Sequence, residues 1–395
     1  MNKNFNRLLG DATRLTRSGD LGAATRTIRQ ALDGAGGPST AAARSSAHVP
    51  PPPSAAARSY ADASVLEGEW FHRGATAPAE PRAKSDATWD TTANRSSESS
   101  GRANPEGEIS RGCHPGRAGA LDYRLFVPPL DPGAPPPALV VMLHGCTQNA
   151  DDFAVGTRMD TLALEHGFLA LYPEQSGRAN PQRCWNWFKH VHQRRGRGEP
   201  GMIEETVRTI LDTHGADPTR VFVAGLSAGG AMASILGNAC SGLFAGVGVH
   251  SGLAAGAAQD LPGALAAMQG GPGVPVRSSP PGPATRQPPT IVFHGDADRT
   301  VHPDNAERVV ELCLDGARNS APTPAAERET GQRAGRRWSR EVHRDTHGKA
   351  VVERWLVHGA GHAWSGGDGR GSYADAIGPD ASAEMVRFFL AQGAR

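Results

Sequence analysis

Residues Val221 to Gly230 read VFVAGLSAGG, and few chain arrangements accommodate that order. The apolar run Val221-Phe222-Val223-Ala224 reads as a buried strand. It passes straight into Gly225-Leu226-Ser227-Ala228-Gly229 and then into a helix-favouring segment, Ala231 to Leu236. Strand, G-x-S-x-G and helix in that order form a turn so sharp that a Cβ at either flanking position would strike the neighbouring backbone. Glycine on both sides removes the clash and lets Ser227 sit strained and exposed above a sheet. The pentapeptide alone is weak, because chance gives roughly 0.4 matches in a chain this rich in glycine. The strand before it and the helix after it make the assignment.

Such an elbow requires an acid and then a histidine downstream. Two aspartates compete for the first role. The run Pro289 to His294 enters a Gly295-Asp296 turn, as a strand does at the C-terminal edge of a parallel sheet. Asp298 lies past the turn, with Val301 anchoring the loop, and is the preferred acid; Asp296 reads as an Asx-turn residue. Two histidines compete for the second role in WLVHGAGHAW, residues 355–364. His358 sits nearer the strand end and reads as structural, and His362, on the glycine-bearing loop, is the preferred base. In this scheme His362 takes the Ser227 proton and returns it to the leaving alkoxide, while Asp298 fixes the imidazole tautomer. The oxyanion needs two convergent donors. The N–H of Ala228 follows the serine directly, and the N–H of Cys146 follows the apolar run Ala138 to Leu143.

Four motifs then carry a family resemblance: HGCTQ at 144–148, CWNWF at 184–188, GLSAGG at 225–230 and GAGHAWSGG at 359–367. With them the chain, from about Leu121 onward, resembles the polyhydroxybutyrate depolymerase-type esterases of the α/β-hydrolase superfamily. Relatives in that group include feruloyl and acetylxylan esterases, so the resemblance fixes ester hydrolysis better than it fixes the substrate. It implies a triad of Ser227, Asp298 and His362, with Cys146 at the oxyanion hole, in agreement with the assignments read from the residues. The residues themselves imply no metal and no organic cofactor. Trp185, Trp187 and Trp364 are expected to line the cleft, as broad apolar contacts for an acyl chain or polymer strand. The competing reading for Trp185 and Trp187 is a buried aromatic cluster under the 173–200 loop. Cys146 and Cys184 both fall in motifs expected near the site, and that shared location motivates a disulfide between them; the alternative is a pair of buried thiols.

The net charge is +1, and no basic stripe interleaved with aromatics appears, which excludes the usual nucleic-acid binders. The patch Arg194-Arg195-Gly196-Arg197 reads as a solvated loop. The five cysteines show no zinc-ligand spacing, and no P-loop or dinucleotide fingerprint accompanies them. No apolar run is long enough to cross a bilayer. Residues 1–33 lack the continuous apolar core of a secretory signal, which points to the cytoplasm, with association to a polymer granule as one version; the resemblance points instead to an extracellular setting.

Three regions are expected. Residues 1–34 carry apolar residues at helical spacing on both sides of Ser18-Gly19-Asp20, which suggests a helical hairpin. Residues 35–105, rich in Ala, Pro, Ser and Gly, suggest a disordered linker. Residues 106–395 suggest a catalytic domain with an α/β-hydrolase fold, a mostly parallel sheet covered by helices on both faces. Its strands are expected at 123–127, 138–143, 168–172, 221–224, 245–250, 290–294 and 351–357. Its helices are expected near 154–166, 201–214, 228–239, 304–314 and 380–392, with Asp217-Pro218 closing the second. Residues 254–288 read as a low-complexity surface loop at the mouth of the site. Gly112-Cys113-His114-Pro115 interrupts the region where relatives carry an early strand, which argues against that strand here. Three functions follow as candidates: hydrolysis of polyhydroxyalkanoate esters, release of feruloyl or acetyl groups from plant polysaccharide, and an inactive granule scaffold. The intact set of Ser227, Asp298 and His362 argues against the last.

Overall fold

The computed structural model describes residues 106–270, 287–318 and 326–393. The expected hairpin over 1–34, the whole of the expected linker over 35–105, and residues 271–286 of the insert lie outside them. The described elements are β1 (Glu108–Gly116), β2 (Gly119–Val127), β3 (Leu139–Leu143), α1 (Ala150–Thr157), α2 (Met159–His166), β4 (Leu169–Glu174), α3 (Gly198–His214), β5 (Val221–Leu226), α4 (Ala228–Ala239), β6 (Gly246–His250), α5 (Leu261–Met268), β7 (Thr290–Gly295), α6 (Asp304–Arg318), β8 (Glu327–Arg333), β9 (Arg336–Arg344), β10 (Ala350–Val357), β11 (Trp364–Ser365), β12 (Ala374–Asp375) and α7 (Ala381–Gly393).

Ten of these strands form one sheet in the order β1-β2-β4-β3-β5-β6-β7-β10-β9-β8. The run from β4 to β10 is parallel throughout. Antiparallel strands close both ends: β1 and β2 on one side, β9 and β8 on the other. The alternation of side chains along each strand explains why two helical layers are needed. In β3, Leu139, Val141 and Leu143 face a core shared with α3, α4 and α6, built from residues such as Ile203, Met232 and Val309. Val140 and Met142 face the opposite core with α1, α2 and α7, where Phe153, Met159 and Phe389 lie. Both faces of a central parallel strand are therefore apolar, which is why the sequence reads there as a continuous run.

Several boundaries depart from the sequence reading. Gly112-Cys113-His114-Pro115 does not prevent a strand: it lies inside β1, which pairs with β2 from Glu108↔Val127 to Gly116↔Gly119. An edge strand tolerates a proline because one side of its backbone has no ladder to complete. The single helix expected near 154–166 is two, broken at Arg158, whose φ of 54° is left-handed. The helix before β5 ends at His214 with Gly215 in the left-handed cap, ahead of Asp217-Pro218. The start of the expected surface insert is core: Ala254, Ala255, Ala257 and Ala258 are buried, and α5 follows, capped by the Asp260 side chain. The hairpin β8–β9 carries mostly charged and polar residues, so its apolar alternation is too weak to read.

Candidate active site

The parallel strands deliver their carboxyl ends to one edge of the sheet, and four loops leave from it: after β3, β5, β7 and β10. Cys146, Ser227, Asp298 and His362 lie on these loops in that order.

Ser227 joins β5 to α4 with φ 57° and ψ −118°. A non-glycine residue held there stores strain, and it persists because its surroundings fix it. The Ser227 N–H donates to His250 O at 2.9 Å, and the next turn of backbone lies hard against β3. A Cβ at Gly229 would sit 2.0 Å from Leu143 O, and one at Gly225 would sit 2.4 Å from the Gly229 carbonyl carbon. Both glycines are therefore set by contact with backbone, which cannot move aside. The same closeness brings the loop after β3 to the start of α4. Neither the Ala228 N–H nor the Cys146 N–H has an acceptor among the described residues. Two unspent donors thus flank a serine hydroxyl that also bonds no protein group there.

Asp298 is fully enclosed. Its Oδ1 accepts the N–H groups of Thr300 and Val301, each at 2.9 Å, and its Oδ2 accepts Nδ1–H of His362 at 2.7 Å. His294 Nε2 lies 3.4 Å from the same oxygen. Burial opposes ionisation, but the hydrogen bonds from His294, His362 and the backbone N–H of Val301 outweigh it and hold the carboxyl far below the usual range. An ionised acid on Nδ1 leaves Nε2 of His362 as the unprotonated nitrogen, and that nitrogen has no partner among the described residues.

Asp296 and His358 lie beside this pair and bond each other. His358 Nδ1 lies 2.8 Å from Asp296 Oδ2, and Gly359 N–H donates to Asp296 Oδ1 at 2.6 Å. The far nitrogen of His358 is taken by Ser339 Oγ at 2.8 Å.

The tryptophans expected to line the cleft are core instead. Trp185 is fully buried and Trp364 1% exposed. Trp185 Nε1 donates to His144 O at 3.1 Å, and Trp364 Nε1 donates to Ser382 Oγ at 3.0 Å, so each indole N–H is satisfied inside the protein. Trp187 is buried too, edge-on to Phe188. All three prop up the loops of the site. Around Trp185 the buried carboxylate of Glu199 gathers the 173–200 segment, accepting from Gln175 Nε2 at 2.6 Å, Asn186 N–H at 2.7 Å and Asn186 Nδ2 at 2.6 Å. A disulfide joins Cys184 of that segment to Cys146, with Cα atoms 4.2 Å apart.

Two buried histidines were not singled out from the sequence. His250 closes β6, stacks on Trp364 at 5.0 Å, and accepts Ser365 N–H at Nε2. Burial pushes its pKa down to about 3, so it stays neutral. His294 lies one residue before the end of β7 and reaches Val301 O at 2.9 Å. A histidine as the last or next-to-last residue of a buried strand, at the edge where the elbow ends, was the available signal for both.

A serine on a strained strand-to-helix turn, followed in the chain by an Asp–His pair at the same edge of a mostly parallel sheet, defines an α/β-hydrolase. An acetyl xylan esterase from Aspergillus awamori shares the fold, with a TM-score of 0.55 at 21% identity over 72% of this chain and 100% of that one. The chain belongs to the PHB depolymerase esterase family, whose model, described as "Esterase PHB depolymerase", matches residues 121–332. Poly(3-hydroxyalkanoate) depolymerase C of Paucimonas lemoignei is 30% identical over 233 residues, 57% of this chain and 54% of that protein. Feruloyl esterase B of Neurospora crassa is 30% identical over 222 residues, 52% of this chain and 75% of that protein. The match thus spans about half the length of the depolymerase.

Proposed function

We propose that the protein is a serine esterase that hydrolyses the ester bonds of poly(3-hydroxybutyrate) or related short-chain polyhydroxyalkanoates through an acyl-enzyme. The observation that carries the chemistry is the ionised, enclosed Asp298 on Nδ1 of His362, with Nε2 left open. His362 accepts the Ser227 proton as Oγ attacks the ester carbonyl, and the N–H groups of Cys146 and Ala228 receive the developing oxyanion. Collapse expels the alkoxide, which takes the proton from His362. Water then attacks the acyl-enzyme by the same route, releasing the acid. In the free protein Ser227 and His362 are not hydrogen-bonded; in this scheme the bond tightens once substrate is seated.

The substrate rests on family membership and on the similarity to the Paucimonas lemoignei depolymerase. A second reading, an esterase releasing feruloyl or acetyl groups from plant polysaccharide, is favoured by the larger share of the Neurospora crassa feruloyl esterase that the chain covers. The deciding experiment is release of 3-hydroxybutyrate from amorphous granules by purified protein, with Ser227→Ala as control and feruloyl and acetylxylan esters alongside. Ser227-dependent release from granules supports the first reading. No release from granules, with Ser227-dependent turnover of the other esters, replaces it with the second. Association with a granule and the cellular compartment are part of this proposal and are tested by fractionation of producing cells.

A further inference from the structure

The loop that follows His362 doubles back over the loop that carries Cys146. Trp364 and Ser365 pair in parallel with Ala374 and Asp375, and Trp364 N–H donates to Tyr373 O at 2.7 Å. The preceding residue is pinned from the other side: Ser372 N–H donates to Asp152 Oδ1 at 2.8 Å, and Ser372 O accepts from Gln148 Nε2 at 2.9 Å. Gln148 in turn accepts Gly145 N–H at 2.9 Å. Tyr373 is therefore clamped between the histidine loop and the oxyanion loop.

Two residues here adopt a left-handed backbone that suits neither of them. Tyr373 has φ 51°, and Thr147, the neighbour of Cys146, has φ 64°. A side chain in this region is strained, and strain of this kind collects at functional sites. Their hydroxyls lie 3.5 Å apart. A hydroxyl has one proton to give. That of Thr147 goes to Cys146 O at 2.6 Å, a far better bond than the 3.5 Å contact. The phenol proton of Tyr373 is left with only the long contact to Thr147 and has no other polar partner among the described residues. Tyr373 is half-buried and Thr147 exposed, so this uncommitted donor lies near the surface, beside the residue that follows Cys146.

We propose that Tyr373 contacts substrate, its phenol donating to an acceptor oxygen a few bonds from the scissile carbonyl. This rests on the esterase reading and deepens it, since the chemistry selected is an oligoester. In a polyhydroxyalkanoate the acceptor is the carbonyl oxygen of the adjoining repeat unit; a simple acetate ester has no such atom.

The test is steady-state kinetics of wild type, Tyr373→Phe and Ser227→Ala on a linear 3-hydroxybutyrate trimer and on p-nitrophenyl acetate. Phenylalanine removes the hydroxyl and keeps the ring and backbone, and turnover of p-nitrophenyl acetate reports that the variant is folded. The expected result is a rise of about threefold to tenfold in KM for the trimer, the loss of one hydrogen bond, with kcat and the p-nitrophenyl acetate constants unchanged. Equal constants for Tyr373→Phe and wild type on the trimer overturn the inference and leave the esterase reading intact. A wild type that turns over p-nitrophenyl acetate but not the trimer overturns it as well. Activity that survives Ser227→Ala unchanged overturns the esterase reading and the inference together.

Discussion

Two Asp–His pairs stand side by side on the same two loops, and they differ in what is left over. In both, Nδ1 of the histidine meets a carboxylate oxygen, at 2.7 Å for Asp298–His362 and 2.8 Å for Asp296–His358. Asp298 has a fully enclosed side chain, whereas that of Asp296 is 37% exposed. His362 keeps Nε2 open, while His358 commits Nε2 to Ser339. A histidine with one nitrogen ionically oriented and the other unspent can accept a proton. One with both nitrogens bonded ties elements together, here β9 to the loops after β7 and β10. The number of open nitrogens, more than the presence of an acid, distinguishes a base from a brace.

Substitution of the two histidines should separate the pairs most widely. His362→Ala is expected to lower kcat for ester hydrolysis by on the order of 10⁴–10⁶-fold, and His358→Ala by less than about tenfold. Comparable losses measured on p-nitrophenyl acetate would collapse the distinction. The acids should follow the same ranking. Asp298→Asn is expected to cost about 10⁴-fold in kcat by turning the imidazole to the wrong tautomer, and Asp296→Asn only a few-fold.

Acid titration of stability sharpens the comparison without using activity. The pKa of both carboxyls is lower in the folded protein than the ordinary value, held down against burial by hydrogen bonds: from His294 and His362 at Asp298, from His358 and Gly359 at Asp296. A depressed carboxyl stabilises the fold above its unfolded pKa of about 4, and that contribution is lost as pH falls below it. Urea unfolding at pH 7 and pH 3 should therefore show stability falling with acid, and Asp298→Asn should remove a larger share of that fall than Asp296→Asn. His250 adds a separate loss in a higher window. Its folded pKa of about 3 lies below the unfolded value, so its contribution is complete above about pH 6.5 and declines as pH falls from there. The smallest effect belongs to Ser339→Ala, which frees Nε2 of His358. It should cost less than about 1.5 kcal/mol in the same unfolding measurement and leave kcat unchanged; a gain of activity would mean that the freed nitrogen can serve as a base.

The central sheet was legible because its strands are buried on both faces, so β3, β5, β6 and β7 read as apolar runs ending in glycine or histidine. The elbow was legible because only glycine fits at 225 and 229 against Leu143 and its neighbours. The family was legible in four short motifs and is shown by the match over residues 121–332. What resisted reading were features decided by partners distant in the chain. Trp185 and Trp364 belong to motifs near the site, yet nothing local shows that His144 O and Ser382 Oγ await their indole N–H groups. Ion pairs rather than an apolar stripe link these strands, Arg340–Glu329 and Arg344–Glu327 joining β8 to β9 and Arg340–Glu353 and Arg354–Glu341 joining β9 to β10, so β8 and β9 lack the alternation that marks a strand. Tyr373 and Thr147 are separated by more than half of the described chain, and their meeting depends on a loop path that propensity does not encode.

The helix α7 fills space beneath strands laid down long before it in the chain: Phe389 stacks on Phe222 of β5 at 4.9 Å. Synthesis runs from the N-terminal side, and chain segments begin to fold in that order. The elbow strand therefore emerges with one apolar face uncovered and must wait for α7 before that face is sealed. During that interval the nascent chain carries its serine without acid or base, and the exposed underside of β5 is the surface a chaperone would have to shield.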